Sequence, residues 1–126
     1  MITEYYTPFF IWSSNLKGKI INKASCQLDI LSTVLNLFEI PFQEETMIGR
    51  DIFDKKNSGL AFFFDYSWID GKILLNNGNI VKLKNISDNE IDEKYILNNN
   101  QEVRDRFKQN DLILKYDYLK YILNTN

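Results

Sequence analysis

The spacing of apolar residues changes along this chain, and each change marks an element. Residues 5–12 contain the run Phe9-Phe10-Ile11-Trp12, which is apolar at every position rather than every second one. A strand apolar on both faces belongs inside a parallel sheet, covered above and below, and Pro8 is tolerated only near its beginning. Ser13-Ser14-Asn15 and Gly18 mark the loop that follows. Leu31, Val34, Leu35 and Phe38 then recur at steps of three and four, which predicts a helix with one apolar stripe. Asp29 stands where an N-cap carboxylate accepts the N–H of Leu31 or Ser32, and Pro41 stops the helix shortly after Ile40. Gly49 falls in a turn that Asp51-Ile52-Phe53 ends with an apolar anchor, before a polar loop over 54–59.

Strand-like segments dominate the next stretch. Residues 60–69 read as a strand, Asp70-Gly71 as a two-residue hairpin turn and 72–75 as the returning strand. Asn77-Gly78 makes a second turn and 79–84 a third strand, completing a three-stranded antiparallel meander. Residues 86–93 are polar, with Ser87 and Asp88 as caps. A long helix is expected from about Asn99. Val103, Phe107, Leu114, Tyr118 and Tyr121 line one side of it. Leu112, Tyr116, Leu119 and Leu123 line another, so the last turns are expected to be covered twice. Glu102 with Arg106 and Asp111 with Lys115 stand four apart in the favourable order.

Composition narrows the class. With 126 residues, 44% of them hydrophobic, and a formal net charge of -2, the chain is long and apolar enough for one ordered domain. Its 15 basic and 17 acidic residues are intermixed, so no basic stripe for nucleic acid is formed. The single cysteine, Cys26, lies among apolar residues and reads as a buried, inert thiol. No apolar run approaches the ~20 residues that span a bilayer, and none at the start reads as a signal peptide.

Three blocks carry a resemblance: Thr7-Pro8-Phe9-Phe10-Ile11-Trp12, the stretch 27–40 that begins Gln27-Leu28-Asp29-Ile30, and Met47-Ile48-Gly49-Arg50-Asp51-Ile52-Phe53. In order and spacing they resemble the segment that follows the last metal-binding motif in the sulfatase branch of the alkaline-phosphatase superfamily. The closest likeness is to the lipoteichoic acid synthase-like phosphoglycerol transferases. That pattern is a strand opened by Pro, a helix opened by Asp and a Gly-x-Asp-apolar-Phe turn. Ser32 stands where the family often has Pro, and Glu39 where it commonly has Gly. The likeness continues more loosely through Ile69-Asp70-Gly71-Lys72 and through Val103, Phe107 and Asp111 of the closing helix.

The resemblance implies an α/β fold of alkaline-phosphatase/sulfatase type, of which this chain is the C-terminal portion. Residues 1–56 would supply the last strand and helix of the core. Residues 57–126 would form a small subdomain of antiparallel meander plus helix. The full-length family implies metal-dependent phosphoglycerol transfer at the extracytoplasmic side of the cell membrane, with manganese, magnesium or calcium held by Asp, Glu and His. Those ligands and the Thr, Ser or modified Cys nucleophile precede Thr7-Pro8, so no catalytic, cofactor-binding or metal residue is carried over. The expected partner is the remainder of the parent enzyme, or a second copy through the first strand.

The residues themselves also point away from catalysis. The chain has no histidine, which removes the usual general base and the Ser-His and Cys-His arrangements. Thr33 reads as a first-turn hydroxyl bonded to backbone rather than a nucleophile. Asp51, Asp65 and Asp70 come from separate turns, which argues against a calcium or magnesium cluster. Phe62, Phe64, Tyr66 and Trp68 alternate onto one strand face, with Phe63 on the other. The closing helix is expected to cover that face; left open, it would be a stacking platform. Asn77-Gly78-Asn79 lacks the Lys and the following helix of a phosphate loop. The alternative is a free-standing binding or interaction module derived from such an enzyme, or a segment of a sulfuric or phosphoric ester hydrolase. An unpaired first strand makes poor solubility or self-association the expectation for the isolated chain.

Overall fold

The computed structural model describes residues 6–117 together with Lys120, Tyr121 and Asn124. It is a mixed α/β fold. Helix α1 (Asp29–Leu37) precedes four short strands, β1 (Ala61–Phe62), β2 (Trp68–Ile69), β3 (Ile73–Asn76) and β4 (Asn79–Lys82), and helix α2 (Glu93–Lys115) closes the chain. The strands form one antiparallel sheet in the order β1-β2-β3-β4, with Phe62 opposite Trp68 and Trp68 opposite Leu75.

Four strands stand where three were expected, because the aromatic run hides a turn. Phe63 N–H donates to the Ser67 carbonyl at 2.9 Å and Tyr66 N–H to the Phe63 carbonyl at 3.0 Å. The Asp65 carboxylate accepts the Ser67 N–H at 3.0 Å, and Tyr66 takes a left-handed φ of 64°. A short polar side chain that bonds two residues ahead offers the backbone a turn in place of a ladder. The next two turns form as expected. Asp70 accepts the N–H groups of Lys72 and Ile73 at 2.9 and 3.0 Å. Asn77 and Gly78 both take positive φ, the geometry that matches strand twist.

The core lies between one face of this sheet and α2. Leu60, Phe62, Trp68, Ile73, Leu75 and Val103 form it, with Cys26, Ile48, Ile91, Tyr95, Ile96 and Phe107 packed around it. Trp68 is fully buried, and its indole N–H donates to the Asn100 side-chain oxygen at 2.8 Å. That bond removes the penalty of burying an unpaired donor. Helix α2 starts at Glu93 rather than near Asn99, since the Asp92 carboxylate caps it by accepting the Tyr95 N–H at 2.8 Å. Tyr95 and Ile96 thereby reach the core.

The double covering expected of α2's last turns is corrected. Leu112, Leu114 and Tyr116 are exposed. A 23-residue helix is about 35 Å long, whereas a four-residue strand spans about 13 Å, so the helix outruns its sheet. Tyr118, Leu119 and Leu123 lie outside the described residues.

The expected buried strand over 5–12 is also corrected. Residues 6–12 form no strand, and Phe10 and Trp12 are 85% and 87% exposed. An extended segment becomes a strand by pairing, and none of the described strands pairs with this one. Tyr5 lies outside the described residues.

Helix α1 ends in a Schellman turn. Ile40 N–H donates to the Leu35 carbonyl at 2.9 Å and Glu39 N–H to the Asn36 carbonyl at 3.0 Å. This requires a left-handed residue between them, and Glu39 holds φ 54° there. A side chain in that conformation costs about 1 kcal/mol, which glycine avoids. Glu39→Gly is therefore expected to stabilise the protein by about 0.5–1 kcal/mol. The check is the urea unfolding midpoint, which rises with unchanged slope.

Candidate functional site

A buried network of hydrogen bonds joins α1 to the turn over 49–52. Asp29 is the first residue of the helix rather than its cap; the cap position is Leu28, which makes no side-chain bond. The expectation that Asp29 accepts from Leu31 or Ser32 is corrected. Its buried carboxylate points away from the helix and accepts the Cys26 N–H at 2.9 Å and the Arg50 N–H at 2.8 Å. Cys26 also accepts the Asp29 N–H through its carbonyl at 3.0 Å, closing a turn that places the helix start one residue early.

The next turn of α1 continues the joint. Ser32 Oγ donates to the Gly49 carbonyl at 2.8 Å. Thr33 Oγ1 donates to the Asp29 carbonyl at 2.6 Å and accepts the Ile52 N–H at 3.1 Å. Asn36 reaches the Asp51 carboxylate at 2.6 Å, and Asn57 donates to the Asp51 carbonyl at 3.0 Å. Gly49 permits the approach: a Cβ there would lie 1.9 Å from the Leu28 carbonyl oxygen. The three sequence blocks differ in fate. The second and third are bolted together through Asp29, Ser32, Thr33 and Asn36, and the first stands apart in solvent.

Arg106 fastens this joint to the sheet. Only 4% exposed, its guanidinium lies 5.5 Å from the Phe62 ring centre. It donates to the Ile48 carbonyl at 3.4 Å and pairs with Glu102 at 2.8 Å, while Arg50 approaches the same Glu102 at 3.5 Å. Its Nε finds no partner among the described residues. Sequence spacing marks Arg106 only as half of a helical ion pair; the signal for its burial is its place one residue before Phe107, on the core side of α2. Gln109 adds bonds to the Glu45 and Met47 carbonyls at 2.7 and 3.1 Å.

A second polar junction joins the first hairpin turn to α2. Asp70 accepts the hydroxyl of Tyr95 and, at 3.4 Å, the side-chain amide of Asn99. Lys72 Nζ sits 5.5 Å from the centre of the Tyr95 ring. Burial, and then the Asp70 carboxylate beside it, holds the Tyr95 hydroxyl well above its usual 10.0. Burial and the nearby Asp29 carboxylate likewise push the half-buried Cys26 thiol up, which disfavours the reactive thiolate.

The residues screened for chemistry fall into structural positions. Thr33 is fully buried, with its proton and a lone pair committed to backbone. Asp51 and Asp65 accept backbone N–H groups of Phe53 and Ser67. Among the described residues no three His, Cys, Asp or Glu side chains converge as a metal site. No helix among them is long and apolar enough to cross a membrane. The expected four-aromatic face under the closing helix forms only in part: Phe62 and Trp68 are buried in the core with Val103 of α2 and Tyr66 leans on Phe107 at 4.7 Å, but the turn at Asp65 leaves Phe64 96% exposed. An open surface depression of about 430 Å³ is lined by Arg50, Glu102 and Gln109, and another follows the loop over 82–87. Ser87 in the latter donates its hydroxyl to the Glu90 carboxylate at 3.0 Å as half of a capping box.

Comparison of the chain with protein-family models, curated proteins and solved structures found no match.

Two outcomes test the joint and the junction. Asp29→Ala leaves two backbone donors without their acceptor and is expected to destabilise by about 3 kcal/mol. Gly49→Ala forces the helix off its turn at a similar or larger cost; denaturant titration measures both. For Tyr95, the unfolded chain releases the phenol proton near 10 and the folded chain keeps it. Its stabilising effect is therefore complete below about pH 10 and is lost as pH rises beyond it. Comparing unfolding midpoints from about pH 8 to 11 in the parent chain and in Tyr95→Phe checks this; the substitution flattens the decline.

Proposed function

We propose that this chain is the C-terminal, non-catalytic segment of a sulfatase-like phosphoglycerol transferase. The observation that carries the reading is the joint between α1 and the 49–52 turn. Asp29, which opens the helix of the family pattern, and Gly49 and Asp51 of its Gly-x-Asp turn each accept a hydrogen bond across it, from Arg50, Ser32 and Asn36 respectively. The small antiparallel sheet closed by a long helix agrees with the order of elements that the resemblance implies.

On this reading the chain is scaffold. Residues 6–12 complete a larger parallel sheet, which accounts for an apolar segment left in solvent here. The meander and α2 form the small subdomain beside the active-site rim. The preceding portion of the parent enzyme holds the divalent metal and the nucleophile, and acts at the extracytoplasmic face of the membrane. Asp, Glu and His of that preceding portion would hold the metal, which would supply Lewis-acid polarisation of the phosphoryl oxygen and lower the nucleophile's pKa.

The test has a genetic and a biochemical arm. The coding region upstream of Met1 is expected to encode an in-frame or adjoining portion with Asp and His metal ligands. Mixed with that portion, the chain is expected to restore manganese-dependent hydrolysis of a model phosphodiester, water taking the phosphoryl group as its alcohol departs. An upstream region without such ligands, or turnover by the chain alone, overturns the proposal.

A further inference from the structure

Two turns of the sheet are built on an acid or amide followed by glycine, Asp70-Gly71 and Asn77-Gly78. Such a pair carries a reaction as well as a conformation. The backbone nitrogen of the glycine can attack the side-chain carbonyl carbon of the residue before it and close a five-membered ring. Glycine has no Cβ to crowd that approach. Two things decide whether the ring closes: what holds the side chain, and how readily the turn opens. The two turns differ in both.

Asp70 is held. Its carboxylate accepts the N–H groups of Lys72 and Ile73 at 2.9 and 3.0 Å, and also the Tyr95 hydroxyl and the Asn99 side-chain amide. Its turn joins β2 to β3, whose Trp68, Ile73 and Leu75 lie in the core. Swinging the carboxyl carbon toward the Gly71 nitrogen would break those bonds, and opening the turn would disturb the core.

Asn77 is not held. It is exposed, and its side chain makes no hydrogen bond among the described residues. Space around Gly78 is open too: a Cβ there would meet nothing within 4 Å. The turn leads into β4, the edge strand of the sheet, none of whose four residues is buried. In the closed hairpin Asn77 and Gly78 keep φ values of 47° and 79°, so ring closure passes through an opened turn. An edge strand without buried side chains is among the first parts of a fold to open. Fraying at this tip leaves Trp68 and the core in place.

We propose that Asn77 is a site of spontaneous covalent modification, deamidation through a cyclic imide, and that its isoaspartate product releases β4. The Gly78 nitrogen gives up its proton and bonds to Asn77 Cγ. The bond from Cγ to the side-chain nitrogen breaks, and that nitrogen leaves as ammonia, carrying the proton. Water then opens the imide. Opening at the side-chain carbonyl gives aspartate at 77; opening at the main-chain carbonyl gives isoaspartate, whose backbone runs through Cβ and Cγ. Water is the only co-reactant. Either product replaces a neutral amide with a carboxylate, which takes the formal net charge from -2 to -3. Isoaspartate also adds a methylene to a turn whose two residues must match the twist of the strands. Val81 and Lys82 then lose their register opposite Leu74 and Ile73, and β3 becomes an open edge. The inference does not rest on the enzyme reading.

Ageing the full chain at mildly alkaline pH, folded and guanidinium-unfolded side by side, is the test. Trypsin cuts after Lys72 and Lys82 and so isolates residues 73–82. In the folded chain this peptide is expected to gain one dalton, with fragmentation placing isoaspartate at 77, while the intact protein gains one negative charge on isoelectric focusing. Asp70 stays aspartate in the folded chain and yields isoaspartate only in the unfolded one. Hydrogen exchange of the modified chain is expected to speed up across β4 and to leave the Trp68 amide protected. Asn77→Gly keeps a residue that accepts positive φ and is expected to abolish the charge shift. Four results overturn the inference: a folded chain unmodified at 77 when the unfolded chain has reacted there, isoaspartate at Asp70 of the folded chain as early as at 77, an acidic form that persists in Asn77→Gly, or unchanged exchange of β4 in the isoaspartate form.

Discussion

One carboxylate holds the first half of this protein in shape. Asp29 lies within bonding distance of two backbone donors twenty-four residues apart along the same chain, Cys26 N–H before the helix and Arg50 N–H after it. A buried acceptor that satisfies two donors fixes both segments to the helix start. Ser32 and Thr33 extend the contact by one turn, and Gly49 provides the space. The leucines of α1 face outward as a consequence. In most surface helices apolar burial decides the orientation; in α1 hydrogen bonding decides it, and the apolar face is what remains.

The second half is organised by ordinary burial. Trp68 is enclosed by the sheet and α2, and its one polar atom is satisfied by Asn100. Phe62 and Leu75 flank it on the neighbouring strands. The strands are short, so the sheet covers only part of the helix, and the remaining turns carry exposed Leu112, Leu114 and Tyr116. Stability is therefore concentrated where Tyr95, Val103 and Phe107 meet the sheet.

The sequence made the local punctuation legible and the long-range polarity illegible. Asp70-Gly71 and Asn77-Gly78 specify their turns through backbone chemistry that acts within four residues. The apolar stripe of α1 was equally visible, but its direction was not. Nothing in the spacing of Leu31, Val34, Leu35 and Phe38 says that Asp29 will bond to Arg50. The aromatic run failed as a strand because Asp65 acts through its side chain, which alternation of apolar letters does not register. The unbroken apolar run within residues 5–12 predicts a buried strand, yet pairing requires a neighbour that the run itself cannot supply. The role of Thr33 followed from local geometry. That of Arg106 depended on a carbonyl fifty-eight residues away.

Arg106 also bears on how the molecule comes apart. Its guanidinium touches the Ile48 carbonyl, the Glu102 carboxylate and the Phe62 ring, so one side chain spans the turn beyond α1, the closing helix and the edge strand. Stripping α2 from the sheet would carry Arg106 and Glu102 away together but would take that cation from the Ile48 carbonyl and from its aromatic cover. Local opening of the sheet is thus tied to loosening of the α1 joint. The amides of both halves should exchange with solvent through a shared opening event rather than as two independent folding units.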